Sequence, residues 1–164
     1  MKKIIALAAI AALSTVAQAD GFYIGGDVGK SRVSDIEFKS TSYALFGGYK
    51  FTDNIAAEVG YRNLGKETYT LSGRTANVKL SAVQVSAVFS AAVSSEFSVF
   101  GRLGVNSIDI KATGPAGIAK GDETRALIGF GARYALSKEF GLRAEFQKPA
   151  SDVQVFTFGA DYRF

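Results

Sequence analysis

The side chains in this chain that could do chemistry are few in kind. There is no cysteine and no histidine, which removes thiol and imidazole nucleophile–base pairs, the usual transition-metal ligands and any disulfide framework. What remains is a set of carboxylates, Asp27, Glu58, Glu145 and Asp161, with Arg102, Arg133 and Arg143 at matching positions of neighbouring segments. Two carboxylates can serve as general acid and base, and Glu58 with Glu145 is the pair to consider. Ion pairing with the arginines perturbs carboxylates in the same way, and it is the plainer reading. Gly114-Pro115-Ala116-Gly117 reads as a turn, since neither a strand-to-helix context nor a following Lys-Ser/Thr makes it a phosphate cradle. No catalytic residue, metal or cofactor is expected.

These groups must be positioned by strands. The stretch Gln154 to Phe164 sorts by parity, with Phe156, Phe158, Ala160, Tyr162 and Phe164 on one face and Thr157, Gly159, Asp161 and Arg163 on the other. Strict alternation is a strand with one apolar and one polar face. Seven earlier segments alternate likewise: Phe22–Gly29, Ser42–Phe51, Ile55–Arg62, Val78–Phe89, Phe97–Asn106, Thr124–Tyr134 and Phe140–Gln147. Connections alternate too. Thr52-Asp53-Asn54, Ser90 to Glu96 and Ala135 to Glu139 are short; Lys30 to Thr41, Asn63 to Asn77 and Ser107 to Glu123 are long. Short turns at one end and long loops at the other mark an eight-stranded, antiparallel, up-and-down transmembrane β-barrel, the smallest size used in bacterial outer membranes.

Composition agrees. Thirteen Phe, seven Tyr and eighteen Gly against two Pro and no Trp suit an all-β chain. Residues 1–19 read as a cleaved signal peptide: Lys2 and Lys3, an apolar run from Ile4 to Leu13, then the small-x-small site Ala17-Gln18-Ala19. The barrel domain is then 20–164. The formal charge of +4 falls to about +2 without Lys2 and Lys3, too little for a nucleic-acid partner.

Alternation alone permits two inside-out barrels, a soluble carrier with phenylalanines inside or a membrane barrel with charges inside. Volume decides. An eight-stranded interior barely holds its side chains, and the polar face carries Gly25, Gly48, Gly60, Gly104, Gly129, Gly131, Gly141 and Gly159, which make room for Arg and Glu there and would only weaken strands in water. Aromatics gather at the ends of the apolar face, as in interfacial girdles: Phe22, Tyr49, Phe51, Phe89, Phe97, Tyr134, Phe140, Tyr162 and Phe164 toward the turns, Tyr43, Tyr61, Phe146 and Phe156 toward the loops. Within the barrel, Lys50, Arg62, Arg125 and Arg163 are placed near strand ends, in reach of water.

Several runs resemble the transmembrane domain of the outer membrane protein A family and its small relatives. They are Phe46-Gly47-Gly48-Tyr49-Lys50 through Glu58-Val59-Gly60-Tyr61 and Leu64-Gly65, then Arg102-Leu103-Gly104, Gly131-Ala132-Arg133-Tyr134-Ala135, Leu142-Arg143-Ala144-Glu145-Phe146-Gln147 and Asp161-Tyr162-Arg163-Phe164. The resemblance implies a lumen plugged by paired charges, with Glu58 and Arg143 at the positions of one acid–base pair. Arg133 stands where the family has a carboxylate and Val88 where it has a lysine, so a second pair is not reproduced; which of Asp27, Arg102, Glu145 and Asp161 pair is left open. It further implies that Tyr162 and Phe164 form the aromatic signal read by the outer-membrane assembly machinery and periplasmic chaperones; unlike outer membrane protein A itself, the chain is expected to carry no peptidoglycan-binding domain after the barrel. The loop charges Lys30, Arg32, Lys39, Lys66, Arg74, Lys111 and Lys120, among Asp35, Glu37, Glu67, Asp109 and Asp122, read as a solvated surface or as contacts to lipopolysaccharide phosphates. The expectation is a monomeric outer-membrane barrel with a structural, envelope-integrity or surface-interaction role, in contact with lipid and lipopolysaccharide. The alternatives are an adhesin or immune-evasion factor binding a host surface ligand through its loops, and a narrow, porin-like ion channel.

Overall fold

Three turns of one design set the barrel's spacing. In each, an apolar residue precedes a hydroxyl residue that folds the chain back: Phe51-Thr52, Val93-Ser94 and Leu136-Ser137. Thr52 Oγ1 accepts from the amides of Asn54 and Ile55, Ser94 Oγ from Glu96 and Phe97, and Ser137 Oγ from Glu139 and Phe140. The hydroxyl thus satisfies backbone donors that a tight turn would leave bare. A backbone bond closes each one, from Phe51 to Ile55, Val93 to Phe97 and Leu136 to Phe140, all at 2.9 Å.

The computed structural model describes residues 21–33, 38–71, 74–114, 117–150 and 153–164. The strands are β1 (Phe22–Val33), β2 (Phe38–Lys50), β3 (Ile55–Leu71), β4 (Arg74–Ala92), β5 (Phe97–Gly114), β6 (Gly117–Ala135), β7 (Phe140–Ala150) and β8 (Val153–Arg163). Each pairs antiparallel with its sequence neighbour, and β8 returns to β1, from Tyr23 opposite Arg163 to Val33 opposite Val153, so that the sheet closes in order. Closure removes the open edges within the barrel; above it, among the described residues, β3 beyond Asn63 pairs with β4 but not β2 and β6 before Ile128 pairs with β5 but not β7.

The two faces have the predicted sense. Leu45 is 73 % exposed and Phe130 65 %, with Val59, Val85, Leu103, Val105 and Phe158 also facing out, whereas Arg62 is 1 % exposed and Glu145 2 %. In water this would be inverted, since a soluble monomer rarely exposes an apolar patch beyond a few hundred Å². With hydrocarbon outside, the outward residues are in their own solvent and the charges sit where other polar groups can pair them.

The strands run further at the loop end than the alternation predicts. β3 to β6 reach 17 to 19 residues, whereas β1, β2, β7 and β8 have 11 to 13. The long loops expected there are therefore mostly strand: Lys66 pairs with Lys79, Lys111 with Lys120, and Gly114 with Gly117. Pro115, Ala116, Asp35 and Glu37 lie outside the described residues. Ladder hydrogen bonds do not need apolar side chains, so the sheet continues above the apolar band after the hydrophobic signal has faded.

Candidate functional site: the charged lumen

Inward side chains build the lumen in layers from the turn end upward. At the turn mouth Arg133 of β6 reaches across β7 to Asp161 of β8, its Nε donating to both carboxylate oxygens at 2.7 and 2.8 Å. Gly141 lies beneath that guanidinium; a Cβ there would come within 2.1 Å of Arg133 Nη2. A hollow of about 470 Å³ opens at this end, lined by Arg133, Asp161, Lys50, Arg163, Tyr23 and Phe100 among others.

The next layer is a closed square of two acids and two bases. Arg102 Nη2 donates to Glu58 Oε2, and Arg102 Nε to Glu145 Oε1 at 2.6 Å. Arg143 Nη1 donates to Glu58 Oε1 at 3.0 Å and its Nη2 to Glu145 Oε2 at 2.9 Å. Tyr23 Oη adds a bond to Glu58 Oε1 at 2.8 Å, and Arg102 Nη1 donates to Ser86 Oγ at 2.7 Å. Every carboxylate oxygen of the square thus accepts from a guanidinium. The Arg143 guanidinium also lies between two rings, 4.6 Å from the centroid of Phe46 and 4.7 Å from that of Phe100, where each ring face attracts the cation. Small residues open the space: a Cβ on Gly48 would meet the Tyr23 ring at 2.3 Å, and one on Gly25 the Phe46 ring at 2.3 Å.

Above the square, Arg62 and Asp27 form a two-pronged pair, with Nη1–Oδ1 and Nη2–Oδ2 both 2.8 Å, and Arg62 also reaches Ser42 Oγ at 3.2 Å and Gln84 Oε1 at 3.4 Å. Between these layers remains a void of about 10 Å³, the lower limit of what one water needs. Asn106 Nδ2 then donates to Pro149 O at 2.6 Å and Ser31 Oγ to Leu64 O at 2.6 Å. An apolar cluster of Leu64, Ala82, Ile108, Ala150 and Val155 lies toward the loop end.

All seven residues singled out from the sequence face the lumen. Glu58 and Arg143 meet, Arg102 and Glu145 complete their square, Arg133 takes Asp161, and Asp27 takes Arg62. The last of these corrects an expectation: Arg62, placed near a strand end in reach of water, is buried. Its parity with Glu58 was visible, but β3 was ended at Arg62, nine residues before its true end at Leu71. Val88 takes no part in the charge network and packs with Tyr23, Ala56 and Phe100. Tyr23, Gln84 and the two rings around Arg143 were on the polar-face parity without any further signal. Tyr162 and Phe164 lie on the outward parity of the closing strand, their rings 5.3 Å apart.

A closed eight-stranded sheet, apolar outside and ion-paired within, is an outer-membrane β-barrel. Comparison with known proteins agrees and narrows this. Residues 17–164 match the OmpA-like transmembrane domain, and the chain belongs to that family. Outer membrane protein A of Yersinia pseudotuberculosis is 31 % identical over 89 % of this chain and 47 % of its own length. That of Shigella flexneri is 29 % identical over 99 % of this chain and 56 % of its own. The chain thus spans about half the length of the curated relatives it matches. Among solved structures, Neisserial surface protein A has a TM-score of 0.68 at 19 % identity, covering 88 % of this chain and 98 % of that one. Ail of Yersinia pestis, in complex with the heparin analogue sucrose octasulfate, has 0.61 at 19 %, covering 89 % and 100 %. At such identities the likeness is one of fold. The protein resides in the outer membrane.

Proposed function

We propose that the chain is a non-enzymatic envelope barrel whose lumen is plugged by the Glu58–Arg102–Glu145–Arg143 square and which acts through its outer wall and loop end. The observation that carries this reading is the full occupation of the square: each carboxylate oxygen is held by a guanidinium, so neither Glu58 nor Glu145 is left to take a proton from a substrate. A network in which both carboxylates are fully paired is also costly to open, since separating one partner exposes a buried charge. The partners of this reading are the surrounding lipid and lipopolysaccharide, and during biogenesis the assembly machinery and chaperones, which would read Tyr162 and Phe164. A monomer suffices within the membrane, because the closed part of the sheet leaves no edge to pair there. Planar-bilayer recording of the purified protein tests the plug. Wild type should show no sustained conductance, while Arg143→Ala should conduct; a steady ohmic wild-type current would refute it, and silence from both would remove any gating role for Arg143.

A second reading, a surface-interaction factor binding a host ligand, is favoured by the height of β3 to β6, which carries four strands beyond the level where β2 and β7 end. Adhesion of cells bearing the protein, compared with a strain lacking it, would separate the two.

A further inference from the structure

Above the apolar band at the loop end, five strands carry an outward lysine. Lys30 on β1, Lys66 on β3, Lys79 on β4, Lys111 on β5 and Lys148 on β7 are all exposed. Three stand side by side, for Lys66 is opposite Lys79 and Lys79 opposite Lys111, with neighbouring strands about 4.8 Å apart. Lys120 continues the register opposite Lys111. Like charges directly opposite one another destabilise a sheet, so nothing in folding favours such a row.

Lys66 joins the row only through an irregularity in β3. Below it the even-numbered residues of β3 are the inward ones, Glu58, Arg62 and Leu64 being buried, and by that parity Lys66 would point into the lumen. The register slips between Asn63 and Gly65 and skips Leu64, which brings Lys66 level with Lys79. Gly65 takes φ 120°, a conformation that favours glycine, and its amide donates to Asn63 Oδ1 at 2.9 Å. Re-aiming a side chain is what such bulges do. The row borders a hollow of about 730 Å³ lined by Tyr43, Thr41, Lys66, Lys79, Lys111 and Thr113 among others. Two carboxylates share this wall, Asp109 and Asp122, opposite one another and two residues nearer the membrane than Lys111 and Lys120; the lysines outnumber them.

The geometry points to the Lys66–Lys79–Lys111 row as a lateral binding site for the phosphorylated headgroups of outer-leaflet lipid. Direction and height choose this occupant. The lysines look sideways from the barrel wall, and Lys79 stands four residues beyond Val83, an exposed apolar residue of β4. That places it roughly 10 Å above Val83, allowing for a strand tilt of about 40°. What lies beside a barrel wall at that height is the headgroup layer, and lysine stems can lie along apolar surface while the ammonium reaches phosphate. The site requires the outer-membrane location and does not require the lumen to be closed.

The test uses the folded full chain in phosphatidylcholine nanodiscs, titrated with bisphosphorylated lipid A and, separately, with soluble heparin. Wild type should bind lipid A in a salt-sensitive manner. K66Q/K79Q/K111Q should lose about fivefold per lysine, on the order of a hundredfold in all, and K138Q at the turn end should bind as wild type. Lys66→Gln alone should lose about fivefold. Unchanged lipid A binding by a triple variant that still shows the folded gel shift overturns the site, as does loss of heparin binding with lipid A binding intact. A conducting wild-type barrel would undo the plug and leave this result standing.

Discussion

Glu58→Gln is the sharpest perturbation of the lumen, because it removes one charge from the square without removing a side chain. Glu58 is 3 % exposed and accepts from Tyr23, Arg102 and Arg143. Its attraction to Arg143 alone, at 3.0 Å, is worth about 5 kcal/mol at an effective dielectric of about 20, offset in part by what both groups lose on leaving water. After the substitution the square holds Arg102 and Arg143 against Glu145 only, which leaves one buried cation uncompensated. Such a change costs about 3–5 kcal/mol. Arg143→Met should cost a similar amount, with Glu58 and Glu145 then facing Arg102 alone. The double variant returns the layer to one acid and one base, so its destabilisation should fall short of the sum of the singles by about 2–3 kcal/mol. Urea titration of the barrel in lipid vesicles measures this. The chain has no tryptophan, so the folded fraction is best read from the mobility of unboiled samples on gels. Singles below about 1 kcal/mol, or a strictly additive double, would mean that water solvates the square and that the lumen is not dry.

Three other outcomes follow from the same geometry. Leu103→Arg, on the outward face of β5 and 55 % exposed, should destabilise the barrel in bilayers by about 2–4 kcal/mol, measured by the same titration; no loss would argue against hydrocarbon on that face. Gly48→Val should drive a side chain into the Tyr23 ring, 2.3 Å from the Cβ position, and cost about 1–3 kcal/mol, whereas Gly101→Val, with nothing near its Cβ position, should cost under about 1 kcal/mol. Phe100→Leu removes one of the two rings on Arg143 and should cost about 1–2 kcal/mol in the same urea assay; a loss persisting undiminished in an Arg143→Met background would show that packing alone, and no ring–cation attraction, is responsible.

How much of this was legible in the sequence depends on what carries the signal. Period-two alternation revealed the eight strands, their order and the inward set Asp27, Glu58, Arg102, Arg133, Arg143, Glu145 and Asp161, because parity assigns a face with no knowledge of neighbours. The volume of an eight-stranded interior, set against its glycines, was enough to put the charges inside. Partners were another matter. Arg133 takes Asp161 two strands away and Asp27 takes Arg62, since barrel shear and the radial reach of each side chain decide who meets across the lumen, and neither is encoded in local pattern. The tall β3–β6 sheet and the reversal of parity at Gly65 were equally invisible, since backbone pairing propagates where hydrophobicity has stopped marking it. Local chemistry thus determined which face each residue sees, and only closure of the sheet determined what each one touches.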